Sequence, residues 1–187
     1  MPPESLPFTP DADANRLLAS NPTALLIGML LDQQFPMERA FLAPHLLRER
    51  LGGRLDAATV AALDDATIES VFAGPPALHR FPASMGRRSR DLCIHLVDEY
   101  GGDADRLWTE AADGEDLLQR LQALPGFGSA KARIFVGVVG KRLGTGPPGW
   151  ERVAADWPSI ADVDRFEQVA VPREQKRAMK AKGKAGT

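Results

Sequence analysis

The sequence has a single cysteine, Cys93, among its 187 residues. One thiol excludes an internal disulfide, and by itself it builds neither a zinc site nor an iron–sulfur cluster. Cys93 lies in a helical apolar pattern, so we expect a buried and unreactive side chain. The histidines His45, His79 and His95 are scattered without metal-ligand spacing, so the sequence predicts no metal site and no resident cofactor.

Long apolar runs are also missing. The longest, residues 24–31, is interrupted by Gly28 and ends at Asp32, well short of the roughly 18 residues that span a bilayer. The chain begins Met-Pro-Pro-Glu without a basic stretch, so the sequence shows no secretory signal. We therefore expect a cytoplasmic monomer that has no membrane partner.

Sustained alternation of apolar and polar residues is absent, which argues against a β-sheet of consequence. Hydrophobic residues make up 44 % of the chain, enough for a packed core in one domain. Helical periodicity with Asp and Asn caps predicts an all-α domain over residues 14–171, after an N-terminal extension over 1–13. The longer helices are expected from Pro22, over Met37–Leu51, over Met85–Tyr100, over Glu115–Leu124 and over Ser129–Leu143.

Charge is distributed unevenly, although the formal net charge is only −2. Residues 98–116 carry eight acids and one base, whereas residues 117–150 carry five bases and no acid. This segregation gives a weakly acidic protein one basic face, which suits a phosphate-bearing partner. Residues 172–187 are rich in Lys and Arg, and we expect a disordered basic tail that also fits a non-specific phosphate-binding arm.

The strongest local signal is the turn Pro125-Gly126-Phe127-Gly128, between an amphipathic helix and a helix that begins at Ser129. Glycine permits the backbone angles of such a hairpin and leaves no side chain between backbone and ligand. Free N–H groups at the start of the second helix, with the helix dipole, form an anion site that a DNA phosphate fits. Such contacts position DNA without reading its sequence. An ordinary helical hairpin that uses glycine is the alternative.

The string Leu-Pro-Gly-Phe-Gly-Ser-Ala-Lys-Ala over residues 124–132 resembles the helix-hairpin-helix of the HhH-GPD superfamily of base-excision DNA glycosylases. Residues 30–40 resemble the superfamily's Leu-Leu-Ser-Gln-Gln segment, which lies near the minor groove and the flipped nucleotide. Residues 87–92 are similar to a glycosylase helix that follows a Gly-Tyr-Arg type of turn. The resemblance implies an HhH-GPD-like helical bundle with hairpin 115–143, double-stranded DNA as partner, hydrolysis of the N-glycosidic bond of a damaged base, and a monovalent cation in the hairpin.

Two departures from the family pattern bear on the chemistry. Ala130 occupies the position of the lyase lysine, and Lys131 follows one residue later, a rotation of about 100° on a helix. The resemblance therefore favours a monofunctional glycosylase over a Schiff-base lyase. The family's catalytic Asp falls in register with Pro148, so the carboxylate must come from elsewhere. The cysteine cluster of some members is absent, which implies no iron–sulfur cluster.

Asp32 is the first candidate for that carboxylate and Asp162 is the second. A carboxylate at position 32 would lie where a flipped base approaches, and it would stabilise an oxocarbenium-like sugar or activate water. The alternative for Asp32 is a helix-end residue bonded to nearby backbone or paired with Arg. Asp156, Asp162 and Asp164 would reach the site only through a longer connection.

Gln33 and Gln34 belong to the expected DNA surface, and two roles are open for them. They either fill the gap left by an extruded base or form hydrogen bonds to the backbone before Pro36. Phe127 is either a plug of the hairpin or an intercalating side chain. A non-catalytic module that holds damaged DNA is the alternative function of the whole chain. The expected DNA-binding residues are Gln33, Gln34, Arg87, Arg88, Gly126, Phe127, Gly128, Ser129, Ala130, Lys131 and Arg133.

Overall fold

The computed structural model describes residues 2–170, 174, 177–178 and 181–182. Those residues contain helices and no β-strand, which confirms the all-α fold class. The tail predicted over 172–187 lies outside the described residues, apart from five scattered positions. The helices are α1 (Ala12–Ser20), α2 (Pro22–Leu31), α3 (Met37–Arg50), α4 (Ala57–Ala61), α5 (Asp65–Ala73), α6 (Pro82–Tyr100), α7 (Arg106–Thr109), α8 (Gly114–Gln122), α9 (Ser129–Gly137) and α10 (Trp150–Val153). A π-helical turn, Val138–Arg142, extends α9, and two 3-10 turns, Ile160–Asp162 and Phe166–Val169, follow α10.

Side-chain caps explain where many of the helices begin. Such a cap accepts a first-turn backbone N–H and places negative charge or a dipole at the positive end of the helix. Helix α6 instead begins at Pro82, three residues before the predicted Met85, because proline fits the first helical turn. The capped helices α1, α2, α4, α5 and α8 follow Asp11, Asn21, Asp56, Asp64 and Asp113, respectively.

Helix α2 lies at the centre of the core. Each of its residues from Thr23 to Leu31 is buried, as expected for a helix that is apolar on every side. Helix α3 crosses it so closely that a Cβ on Gly28 would lie 2.7 Å from Cδ1 of Phe41. Helices α1 and α6 also pack against α2. The polar residues after Leu31 therefore emerge directly from the interior.

The segment before α1 also belongs to the core. Leu6 and Phe8 are fully buried, and the Phe8 ring lies edge-on to Phe41 with 5.1 Å between ring centroids. The backbone N–H of Leu6 donates to the carbonyl of Asn15 at 2.9 Å. The sequence predicts only an extended segment here, because two apolar side chains among prolines make no periodic pattern.

Helices α8 and α9 form the predicted hairpin, and aromatic side chains join it to the rest of the domain. Phe135 of α9 is fully buried, with ring centroids of Trp108 and Phe127 at 5.9 Å and 6.3 Å. Trp108 and Phe127 are each only 5 % exposed, so both belong to the core. Trp150 then covers the end of the hairpin, since a Cβ on Gly140 would lie 2.3 Å from its ring. No helix among the described residues is long and apolar enough to cross a membrane.

Truncating the central aromatic side chain tests this packing. We expect Phe135→Ala to lower the free energy of unfolding by about 3–5 kcal/mol, because it leaves a cavity among three rings. The control is Ile94→Ala on α6, whose side chain is 38 % exposed, and which should cost less than about 1 kcal/mol. Urea unfolding followed by circular dichroism measures both. Equal losses for the two variants would contradict the assignment of Phe135 to the core.

Candidate nucleic-acid interface

The hairpin turn is held by two glycines with different roles. Gly126 has a φ of +82°, and a Cβ there would lie 2.3 Å from Cδ1 of Leu30, at the end of α2. Glycine at this position therefore allows both the backbone angle and the close contact with α2. The side chain of Phe127, between the two glycines in sequence, is buried. Its burial matches a plug of the hairpin and not an intercalating side chain.

Gly128 leaves the start of α9 open. It is the N-cap of the helix and has no side chain to accept the first-turn N–H groups. The N–H groups of Gly128, Ser129 and Ala130 donate to no acceptor within the described chain, and all three residues are exposed. A Cβ on Gly128 would find no atom within 4 Å. Exposed N–H groups at the positive end of a helix favour an anionic ligand such as phosphate.

Lys131 connects the hairpin to the C-terminal end of α2 through a hydrogen bond. Its ammonium group donates to the carbonyl of Leu30 at 2.9 Å, a contact between residues 101 positions apart. The same nitrogen lies 5.9 Å from the centroid of the Phe127 ring. Because a cation near the C-terminal end of a helix interacts favourably with the dipole, this contact joins α9 to α2 electrostatically.

The turn Asp32–Gln34 follows α2 at the same place. Asp32 is the C-cap residue of α2, half-buried, with its N–H donating to the carbonyl of Gly28 at 3.1 Å. The N–H of Gln33 donates to the carbonyl of Leu31 at 2.7 Å. Gln34 is exposed and has a φ of +53°, a left-handed conformation that residues other than glycine rarely adopt. The turn therefore presents a carboxylate and two amides beside the hairpin.

His79 is the residue of this region whose importance the sequence does not reveal. Its ring is 1 % exposed, and Nε2 lies 3.1 Å from the carbonyl of Leu31 and 3.0 Å from that of Gln33. Burial lowers the pKa of His79 below its ordinary value of 6.5; the bonds to the two carbonyls oppose this shift, and the nearby Lys131 ammonium adds to it. No local pattern predicts these bonds, because their partners lie 46 and 48 residues away.

Aromatic and guanidinium groups extend from His79 to the surface. The ring centroid of His79 lies 4.7 Å from that of Phe35 and 6.0 Å from that of Phe81. The guanidinium of Arg39 stacks over Phe35 at 4.7 Å, and that of Arg80 over Phe81 at 5.2 Å. Phe81 is 45 % exposed, unusual for a large aromatic side chain. This edge combines positive charge with a face on which a base can stack.

The two arginines of α6 that the sequence predicts as DNA-binding differ in their contacts. Arg87 pairs with Glu69 of α5, so part of its charge is neutralised within the protein. Arg88 is exposed and makes no ion pair or hydrogen bond through its side chain within the described part of the chain. Of the two, Arg88 is therefore the one whose charge is directed only to solvent.

Arg133 is turned towards the protein instead of outward. Its guanidinium donates to the carbonyls of Val153 and Ala154, both at 3.2 Å, at the end of α10. It also stacks over Trp157 at 4.9 Å. These contacts show that Arg133 helps to pack α10 against α9. Its guanidinium is not part of the open start of α9.

Asp162 and Asp32 are not brought together. The carboxylate of Asp162 accepts from Nζ of Lys141 at 2.5 Å and from the N–H of Ser159 at 3.0 Å, as the cap of a 3-10 turn. Lys141 follows Lys131 by ten residues, about 15 Å along a helix. The two carboxylates thus lie at opposite ends of α9, because Asp32 adjoins the Leu30 carbonyl that Lys131 binds.

The backbone at Pro148, in register with the catalytic Asp of the superfamily that the hairpin resembles, has a structural role. Its carbonyl accepts the N–H of Gly114 at 2.9 Å, where α8 begins. Groups of three or more His, Cys, Asp or Glu side chains that could hold a metal ion do not occur within the described ranges. The monovalent cation expected in the hairpin stays a prediction.

No protein-family model matches the chain, and no curated protein is significantly similar to it. Its function therefore has to be inferred from the hairpin and the turn beside it.

A carboxylate placed at the open start of α9 tests the anion site. We expect Gly128→Asp to weaken binding to duplex DNA by at least about tenfold, because the new side chain would cap the N–H groups and repel phosphate. Thermal stability should be unchanged or higher, since Asp is a favourable N-cap. The control is Gly128→Ala, which has room for its Cβ and leaves the N–H groups open.

Fluorescence anisotropy with a labelled duplex measures the affinities, and thermal unfolding measures stability. Position 128 is a better test than Gly126, where a side chain would clash with Leu30 and strain the backbone. Unchanged affinity in a folded Gly128→Asp variant would contradict phosphate binding at the hairpin.

Proposed function

We propose that this chain binds double-stranded DNA through phosphate contacts at the hairpin, and that it is a monofunctional DNA glycosylase of base-excision repair. The observation that supports it most is the row of exposed N–H groups over Gly128–Ala130, beside the Asp32–Gln34 turn, which have no acceptor among the residues that the structure describes. Phosphate binding would hold the duplex while the turn meets the nucleotide to be removed.

Further support comes from how helix starts are distributed. Among helices of nine or more residues, α3, α6 and α9 lack a side-chain cap. All three begin near the C-terminal end of α2, since Phe35 and Phe81 flank the His79 ring and Lys131 binds Leu30. Their positive dipole ends converge on one edge, where a polyanion is favoured. The capped helices carry Asp or Asn at their starts, where phosphate is disfavoured.

Hydrolysis of the glycosidic bond requires a group that stabilises positive charge on the sugar or removes a proton from water. As water adds to C1′, the bond to the base breaks and the base leaves with the bonding electrons. Asp32 is the better candidate for that group, because it is half-buried at the edge of the hairpin. Low dielectric strengthens the attraction of a carboxylate to a developing cation. Asp162 is less suitable, because it pairs with Lys141 at the other end of α9, away from the hairpin turn.

The Schiff-base route has less support. It needs a free amine that attacks C1′, and Ala130 offers none at the lyase position. The ammonium of Lys131 instead donates to a helix carbonyl, which favours its protonated, non-nucleophilic form.

A non-catalytic module that holds damaged DNA is the second candidate. One observation favours it: in the register of the family's catalytic Asp, the chain has Pro148, whose carbonyl supports the start of α8. A panel of duplexes that carry uracil, hypoxanthine, alkylated or oxidised bases separates the two. Release of one base supports the enzyme, whereas tight binding without release of any of them supports the module.

Removing the charge of Asp32 tests the proposed chemistry. We expect Asp32→Asn to leave DNA affinity nearly unchanged and to slow single-turnover base release by at least about a hundredfold, in the range for a lost general base or electrostatic group. Asp162→Asn is the matched control and should release the base at nearly the wild-type rate. Full activity of Asp32→Asn would exclude Asp32 as the catalytic carboxylate.

Salt dependence tests the phosphate contacts. The logarithm of the association constant should fall steeply with the logarithm of salt concentration, by about 0.9 for each phosphate contacted, with little preference for sequence. Deleting residues 172–187 should flatten this slope if the basic tail is an arm on DNA. The slope is measured by anisotropy titrations between low and moderate salt. An identical slope would show that the tail makes no phosphate contacts.

A further inference from the structure

The buried ring of His79 uses both of its nitrogens. Nδ1 accepts the backbone N–H of Phe81 at 3.0 Å, so this nitrogen carries no proton. Nε2 must then carry the single proton of the neutral ring, and it donates to the carbonyls of Leu31 and Gln33. The geometry therefore fixes both the tautomer and the charge state of the imidazole.

These bonds join two parts of the surface that are far apart in the sequence. On the Nε2 side lies the end of α2 with the turn Asp32–Gln34, and on the Nδ1 side lies Phe81, the residue before α6. Phe81 has no side chain that caps α6, so the His79 ring fixes the backbone from which that helix begins. Movement of the ring would change the position of the carboxylate and amides relative to the exposed Phe81 side chain.

We propose that neutral His79 is the positioning residue of the candidate DNA site, holding the Asp32–Gln34 turn and the Phe81 backbone in one fixed arrangement. This inference rests on the proposed function. DNA binding then requires the unprotonated imidazole, although His79 itself is buried and touches no DNA. A proton on Nδ1 would face the Phe81 N–H, so the bond would be lost and the two segments would separate.

The direction of the pH dependence follows from the buried environment. The pKa of His79 in the folded protein lies below the ordinary 6.5, so the unfolded chain binds the proton more tightly. The stability contributed by neutral His79 is complete above about pH 6.5 and is lost as the pH falls from there through the lower, folded pKa. Binding that depends on the neutral ring is lost over the same acidic interval.

Ordinary electrostatics predicts the opposite change. Each histidine that gains a proton adds positive charge, which strengthens binding to phosphates. The charged side chains in the elements around His79 are Lys131 of α9, Asp32 after α2, Arg39 of α3 and Arg80 in its own segment, and of these Lys131 acts on its pKa. Weaker binding at acidic pH therefore distinguishes positioning by His79 from a general charge effect.

Nitrogen-15 NMR of the full chain, labelled at histidine, tests the tautomer directly. The expected spectrum shows Nδ1 of His79 unprotonated and Nε2 protonated, with the ring still neutral below the ordinary pKa of 6.5. A protonated Nδ1 at pH 7.5, or a pKa at or above the ordinary value, would overturn the proposal whatever the protein binds.

Substitution separates the two sides of the ring. His79→Gln keeps a donor near the position of Nε2, and His79→Asn keeps an acceptor near that of Nδ1; neither titrates. We expect each variant to bind a labelled 20-base-pair duplex about tenfold more weakly at pH 7.5, because each keeps only one side of the connection between the Asp32–Gln34 turn and Phe81. Wild type should lose affinity by at least about fivefold between pH 7.5 and 5, whereas His79→Gln should not. The control His95→Asn, on α6, should keep the wild-type loss.

Circular dichroism at each pH confirms that the proteins stay folded. If the variants do not fold, the wild-type pH profile and the NMR spectrum still decide. Binding by wild type that strengthens on acidification would overturn the positioning role and leave the proposed function standing. Failure of wild type to bind duplex DNA at pH 7.5 would overturn the proposed function and, with it, this inference.

Discussion

The carbonyl groups at the buried C-terminal end of α2 are the constraint on which the candidate site depends. A helix leaves its last carbonyls without partners, and water is largely excluded from the end of a helix that is buried throughout. Their donors come from distant parts of the chain, Lys131 on α9 and His79 before α6. By meeting this requirement, the protein brings the hairpin, the Asp32–Gln34 turn and the start of α6 to one place.

The charge distribution at the C-terminal end of α2 is unfavourable for stability and is typical of a functional site. Asp32 adds a carboxylate to the negative end of α2, where an anion is disfavoured. The positive charge of Lys131, which binds the Leu30 carbonyl two residues before Asp32, offsets this cost. Gln34 adds a left-handed backbone angle. Strain and unfavourable charge of this kind persist only where the surrounding structure holds them, and they occur most often at functional sites. The open start of α9 completes the arrangement with accessible donors for an anion.

Rigid attachment of the hairpin gives the site its fixed geometry. Gly126 contacts Leu30, Phe127 fills the space beneath the turn, and Phe135 holds Phe127 in the core. The backbone N–H groups that would meet phosphate are therefore set by packing rather than by a mobile loop. A preformed set of donors binds without the entropic cost of ordering a chain segment.

Local chemistry in the sequence determined the helices, their caps and the hairpin. Asp11, Asn21 and Asp113 bind N–H groups three residues away, and the turn at Gly126 is specified within four residues, so short-range patterns suffice. Only the tertiary structure shows which contacts the candidate residues already make. Arg133 donates to carbonyls at the end of α10, and the carboxylate of Asp162 pairs with Lys141. It also revealed His79, whose bonds span 46 and 48 residues. Contacts across such separations depend on how the helices pack against each other, so the periodicity along one helix does not predict them.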